Sequence, residues 1–278
     1  MNNLFCFGFG FSARALSARL KSKGWKISAT SRTPEGLTKI NASGVTGFLF
    51  DEHLEIPHDV THLLISAPPD DTGDPILNLL SPQLKALQHL QWVGYLSTTG
   101  VYGDKGGDWV DEETPLTPNT QRGQRRLAAE QSWLATDLPV HLFRLAGIYG
   151  PGRNQLLTVK NGTAKRIIKP GQIFSRIHVE DIAGVLEASI AKPNPSRAYN
   201  LCDDEPCPPQ QVVAFAAQLL GLPLPPEIPF EEAELSPMAK SFYADSKRVS
   251  NQRIKTELGH ELIYPTYREG LKSLMASL

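Results

Sequence analysis

The sequence predicts an α/β protein, a doubly wound parallel sheet followed by a smaller C-terminal lobe. Three observations carry that expectation. Short apolar runs alternate with longer helical patterns through the first half, the mark of parallel strands joined by crossover helices. A Gly-x-Gly-x-x-Ala run, Gly8-Phe9-Gly10-Phe11-Ser12-Ala13, sits directly between the first apolar run and the first helical one. Beyond Tyr149 the rhythm changes to short strand signals, separate helices and a proline-rich connection.

The elements follow in order. Residues 4–7 read as a strand and 12–23 as a helix, with Ala13, Leu16 and Leu20 on one face and Gly24 closing it. A second strand at 25–30 leads into Thr33-Pro34-Glu35, a helix start with threonine as N-cap and proline in the first turn. Further strands are expected at 47–50, 61–66, 92–97 and 140–145, with helices at 75–90, bent at Pro82, and at 120–135. Six strands with helices between them make a Rossmann-type sheet the natural reading. After residue 149, strands at 166–168, 174–178 and 199–201 alternate with helices at 179–191 and 207–220. Residues 221–229 read as a surface connection, and 246–258 and 267–278 as helices.

Composition limits the possible functions. A chain of 278 residues suits one large domain or a nucleotide domain with a lobe. Lys+Arg 28 against Asp+Glu 29 leaves a formal net charge of -1, so no electrostatic footprint for nucleic acid or an anionic membrane is expected. No apolar run approaches the ~20 residues that span a bilayer. Residues 4–11 lack the flanks of a signal peptide. Three cysteines, Cys6, Cys202 and Cys207, form no Cys-x-x-Cys pair. That usage fits a reducing, cytoplasmic setting and argues against a zinc site or a disulfide framework. The expected partner is a small molecule, and the expected state a monomer or homodimer.

The glycine run has the strand–turn–helix setting that dinucleotide binding requires. Gly8 permits a tight turn, Gly10 lets backbone approach a pyrophosphate, and Ala13 allows close packing of helix on strand. Backbone N–H groups at the helix start, Ser12 among them, then meet the phosphates, while Phe9 and Phe11 read either as packing residues or as further N–H donors to phosphate. About 20 residues further on, an NAD enzyme places an acid for the ribose hydroxyls. Here the chain reads Thr30-Ser31-Arg32, and a guanidinium fork with serine and threonine hydroxyls beside it suits a 2′-phosphate. NADP is therefore favoured over NAD, the alternative for Arg32 being a solvated surface residue. Asp51 is placed to accept from the adenine amino group or to shape its own loop. Ala67 and Pro68, in Ser66-Ala67-Pro68-Pro69, should line the cofactor crevice.

Later motifs carry a family resemblance. Leu96-Ser97-Thr98-Thr99-Gly100-Val101-Tyr102-Gly103, Arg144 with Tyr149-Gly150-Pro151-Gly152, Ile177-His178-Val179-Glu180-Asp181 and Tyr199-Asn200-Leu201 occur in that order. The set resembles the extended short-chain dehydrogenase/reductases, the NAD-dependent epimerase/dehydratase family. The resemblance implies a nucleotide domain over 1–150 to which 175–203 returns, and a discontinuous substrate lobe from 151–174 and 204–278. It also implies catalysis by Ser/Thr, Tyr and Lys in a Tyr-x-x-x-Lys helix. Thr98 matches the Ser/Thr, but Arg122 stands at the tyrosine position and Arg126 at the lysine position. No tyrosine lies between Asn119 and Glu130.

That departure matters chemically. Arg126 remains able to hold the nicotinamide ribose, whereas Arg122 stays protonated at any working pH and is no proton donor. Arg122 instead suits an oxyanion, a carboxylate or a phosphate, or simply forms part of a solvated basic face. Asp74 lies where atypical relatives carry an aspartate, and equally caps a helix entering at Pro75. His178 and Asp181 read as residues that orient the lobe, and Arg176 as one that could face substrate. The expected function is an NADP-dependent oxidoreductase or epimerase on a small polar metabolite or nucleotide sugar. The alternative is a non-catalytic NADP-binding sensor or scaffold.

Overall fold

Seven strands form one sheet: β1 (Asn3–Phe7), β2 (Lys26–Ser31), β3 (Thr46–Leu49), β4 (His62–Ile65), β5 (Trp92–Thr98), β6 (Val140–Leu145) and β7 (Ala198–Leu201). Their order is β7-β6-β5-β4-β1-β2-β3 in a computed structural model that describes residues 2–278. The β1–β2, β1–β4, β2–β3 and β4–β5 pairs are all parallel. Every residue of β1, β4 and β6 is buried, as expected of parallel strands covered on both faces. Strand order reverses between β1 and β4, so the crevice at their carboxyl ends is the topological switch point.

Two compact units make up the chain. The first holds the residues up to Thr98 together with Gln124–Arg144 and Ile182–Tyr199. Its core gathers Phe5, Phe7, Leu63, Ile65, Val93, Tyr95, Trp133 and Leu142. Helices α1 (Phe11–Lys21), α2 (Pro34–Ala42), α3 (Pro75–Ala86) and α4 (Gln121–Leu134) follow β1, β2, β4 and β5. Thr33 caps α2 through a bond from Gly36 N–H. Helix α3 stops at Ala86, short of residue 90, with Pro82 inside it and Leu87 leaving helical geometry.

The second unit comprises Thr99–Gly123, Leu145–Asp181 and Asn200–Leu278. Its strands are short parallel pairs: Gly147–Tyr149 with Arg176–His178, Arg166–Ile168 with Glu227–Pro229, and Trp109–Val110 with Arg248–Val249. Helices Gln155–Lys160, Pro209–Leu220 and Tyr267–Leu274 enclose an apolar core of Leu156, Val212, Ala216, Leu271 and neighbours.

Two sequence expectations fail in this unit. The proline-rich connection ends in a paired strand, Glu227–Pro229. The expected helix at 246–258 is instead strand Arg248–Val249 followed by a short helix, Gln252–Thr256. Tertiary bonds override local propensity there. Ser246 N–H donates to Asp104 at 2.8 Å, Ser246 Oγ donates to Gly171 O at 2.8 Å, and buried Lys247 Nζ donates to Gly103 O at 2.7 Å. These bonds hold the segment extended.

Candidate functional site

The glycine run forms the turn between β1 and α1. Gly8 has φ +86°, and a Cβ there would stand 3.3 Å from Ala67 N. Both its conformation and the closeness of the β4 end therefore demand glycine. Gly8 N–H donates to Thr30 Oγ1 at 2.9 Å, while Ser66 and Ala67 N–H both donate to Phe7 O at 2.9 Å. The ends of β1, β2 and β4 are thereby locked around one turn. Thr30, expected as a hydroxyl donor to a 2′-phosphate, instead serves this turn, a task that nothing local to β2 marks.

Gly10 is the N-cap of α1 and offers no side-chain cap, and the first turn holds no acid. The leading N–H groups and the positive end of the helix dipole are left for an anion. Phe9 and Phe11 are half-buried and Ser12 is buried. A cradle without Cβ atoms at positions 8 and 10 and with uncapped donors beyond it fits a dinucleotide pyrophosphate.

The turn after β2 is tightly built. Ser31 Oγ accepts from Thr33 N–H at 3.1 Å and donates to Thr33 O at 3.0 Å. A Cβ on Gly36 would collide with that hydroxyl. Ser31 therefore shapes the turn, and Arg32 is exposed on it. Asp51 Oδ1 accepts from His53 N–H at 2.9 Å, so Asp51 does shape its own loop. Ala67 is half-buried beside Gly8, and Pro68 is exposed.

At the end of β5, Thr98 is half-buried. Arg126, from α4, uses Nη1 for two bonds, to Leu96 O at 2.7 Å and to Tyr95 Oη at 3.2 Å. One helical turn on, Glu130 is 1% exposed and accepts from Ser97 Oγ and from Arg144 Nη2, the latter at 2.9 Å. This buried triad pins α4 to β5 and β6. Its partners are far apart in sequence, which is why motif reading missed it.

Asp74 caps α3, its Oδ1 accepting from Ile76 N–H at 3.0 Å and Leu77 N–H at 3.2 Å. Burial pushes its carboxyl pKa up, against the pull of the Trp133 indole, the two N–H groups and Arg126. Arg125 pairs with Asp71 in the loop before α3. Thr98, Arg126 and Asp74 all belong to the first unit.

Arg122 belongs to the second unit, where it is exposed with its guanidinium 5.2 Å from the Phe242 ring centre. Arg176 Nη1 donates to Phe174 O and Cys207 Sγ, each at 3.1 Å. His178 is buried between Tyr149 and Tyr264, and burial lowers its pKa to about 4. Buried Asp181 accepts from Ile263 N–H at 2.6 Å and Tyr264 N–H at 3.1 Å. His178 and Asp181 thus organise the lobe. Tyr102, buried, donates its hydroxyl to Asn200 Oδ1 at 2.7 Å.

No family model matches the chain. It is 28% identical over 296 residues to Protein YeeZ of Escherichia coli K12, covering 95% of this chain and 97% of that protein. A 27% identity over 186 residues relates it to a 3-diazoavenalumate denitrifying reductase of a Streptomyces species, across 60% of this chain and 59% of the relative. A solved protein of unknown function from Silicibacter pomeroyi is 56% identical, with TM-score 0.95 over 100% of this chain and 99% of that one.

A candidate NAD-dependent epimerase/dehydratase from Methylobacillus flagellatus is 25% identical, with TM-score 0.71 over 99% of this chain and 98% of its own. The human epimerase family protein SDR39U1, solved with NADPH, shares the fold at TM-score 0.80 and 17% identity over 99% of this chain and 100% of its own. Switch-point topology, the glycine turn and the ordered motifs agree with these likenesses. The chain thus shares its fold with the extended short-chain dehydrogenase/reductases, the NAD-dependent epimerase/dehydratase proteins.

Proposed function

We propose that this protein is an NADP-dependent oxidoreductase acting on a small metabolite that carries an anionic group. The observation that carries the reading is the turn after β2. It presents Arg32 where an NAD enzyme carries an acid, on a backbone held by Ser31, Thr33 and Gly36. A guanidinium fork there meets a 2′-phosphate with two parallel charge-assisted bonds. The NADPH bound to SDR39U1 and the reduction named for the Streptomyces relative support the same direction.

A bound nicotinamide supplies or takes up hydride. The uncapped N–H groups of α1 hold the pyrophosphate. Arg126 is steadied by its two Nη1 bonds to β5, and the rest of its guanidinium is assigned to the ribose hydroxyls. The Thr98 hydroxyl donates to the hydride acceptor. Arg122 holds the anionic group of the substrate and transfers no proton. Such a site favours reductions in which water supplies the proton, rather than chemistry that needs a tyrosine phenol.

Fluorescence titration with NADPH and NADH tests the cofactor, with NADPH expected to bind about tenfold tighter and Arg32→Ala to erase the difference. Tighter NADH binding overturns that role. Absorbance of the nicotinamide, followed against carbonyl acids and nucleotide sugars, tests the chemistry. Arg122→Gln is expected to raise KM for carboxylate substrates while leaving NADPH affinity unchanged. Tight cofactor binding without turnover on any substrate supports the sensor reading, which the missing tyrosine alone favours.

A further inference from the structure

Tyr95 and Ser97 lie two residues apart on β5 and so share one face of the sheet, the face that carries α4. Ser97 meets Glu130 there, and Tyr95 meets Arg126 and Trp133. The Tyr95 ring is fully buried, its centre 6.3 Å from that of the equally buried Trp133. The phenol is therefore held in place by close packing behind it. Its Oη accepts from Arg126 Nη1 at 3.2 Å, and Leu96 O accepts from the same nitrogen at 2.7 Å. Those two acceptors take both hydrogens of Nη1. Nε–H and the Nη2 hydrogens, on the opposite edge of a half-buried guanidinium, are left for a further partner.

An ammonium cannot divide its donors in this way. It offers three hydrogens from one nitrogen, so a lysine bonded to Leu96 O and Tyr95 Oη would keep only one for any ligand. The planar fork of arginine turns two anchoring bonds on one edge into a fixed bearing for the other. Tyr95 does not itself stand in for the tyrosine that α4 lacks. Burial pushes its phenol up to about 12, against the pull of the Arg126 charge. The group stays a neutral acceptor at working pH, enclosed in the core.

We infer that Tyr95 is a positioning residue, whose hydroxyl sets the bearing of Arg126 and through it the grip on the nicotinamide ribose. The inference rests on the assignment of Arg126 to that ribose. Leu96 O alone leaves the guanidinium free to swing about a single bond, and the phenol supplies the second point that fixes its plane. A donor aimed in advance loses less freedom when the cofactor arrives, and binding is tighter for it. Arg126 touches the cofactor, and Tyr95 acts only through Arg126.

The test compares NADPH with adenosine 2′,5′-bisphosphate, which keeps the adenosine end and its 2′-phosphate but has no nicotinamide ribose. The nicotinamide ribose is common to NADH, so NADH against ADP gives the same reading whichever cofactor is preferred. Calorimetric titration gives both affinities for the wild type, Tyr95→Phe, Arg126→Met and the double variant. Tyr95→Phe should weaken the dinucleotide about fivefold and leave the adenosine half unchanged. Unchanged binding of that half also shows that the variant is folded. Arg126→Met should weaken the dinucleotide about tenfold, and Tyr95→Phe should add nothing in that background, as a residue acting through another requires. Dinucleotide affinity lowered by Arg126→Met but untouched by Tyr95→Phe overturns this inference and leaves the ribose assignment standing. Equal losses of both ligands in Tyr95→Phe, or a loss that persists without Arg126, also overturn it. Dinucleotide affinity unchanged in Arg126→Met overturns the ribose assignment and the inference together.

Discussion

Glu130 shows how much one buried carboxylate can carry. It receives Ser97 Oγ from β5 and the guanidinium of Arg144 from β6, all three being nearly inaccessible to water. A buried ion pair contributes little net stability over an apolar replacement, but breaking one leaves a charge stranded. Glu130→Ala should therefore destabilise the protein by about 3–5 kcal/mol, read as a lower urea midpoint. Ser97→Ala removes only a hydroxyl and should cost about 1.5–3 kcal/mol, the range of hydrogen bonds to charged groups. Ser97 immediately precedes Thr98, so the triad also sets where β5 delivers that hydroxyl. The sequence could not announce this. Gly8 and Gly10 were legible because the turn they form is fixed by neighbours along the chain, whereas Ser97, Glu130 and Arg144 meet only after folding.

At the level of elements, the β1–α1 turn is the most constrained part of the nucleotide unit. Gly8→Ala forces a left-handed backbone on an L-residue and sets a methyl 3.3 Å from Ala67 N. A loss of about 1–3 kcal/mol in stability is expected, together with at least a tenfold loss of NADPH affinity as the turn opens. Thermal denaturation and cofactor titration measure the two effects separately. Strands and helices of this unit followed from the sequence because apolar periodicity and caps dictate them, as with Thr33-Pro34 opening α2. The lobe was less readable. Its two-residue and three-residue strands carry no periodicity, and the 246–258 segment is held extended by Asp104, Gly103 and Gly171, which lie far away in the chain. Asp74 illustrates the intermediate case: its pairing with Pro75 correctly marked the cap of α3, and that cap occupies one of its two oxygens.

For the molecule as a whole, buried titratable groups dictate a response to pH. Burial lowers the pKa of His62, His141 and His178 to about 4, against the ordinary histidine value of about 6.5. Between those values the unfolded chain takes up protons that the folded one refuses, so stability falls as pH drops through that window. Burial acts in the opposite direction on Asp203, raising its carboxyl from 3.8 to about 8. There the folded protein keeps a proton that the unfolded chain gives up, and stability falls as pH rises from about 4 to about 8. The three histidines act on the acid side and Asp203, with Asp74 and Glu112 displaced in the same direction, acts against them, so thermal stability should fall away on both sides of near-neutral pH. Asp203→Asn should flatten the alkaline limb and leave the acid limb in place. Differential scanning calorimetry across pH 4–9 checks both statements.

The nucleotide unit is stitched from three stretches, the last of them Ile182–Tyr199. On the ribosome, β6 therefore waits with an open edge until β7 emerges more than fifty residues later. An unpaired edge of that kind invites pairing with other chains. The gene accordingly has no internal point at which a self-sufficient nucleotide-binding cassette could be cut out. A fragment ending near residue 150 keeps every glycine of the cradle yet lacks the outermost strand of the sheet, and should accumulate in inclusion bodies rather than as a binding-competent half.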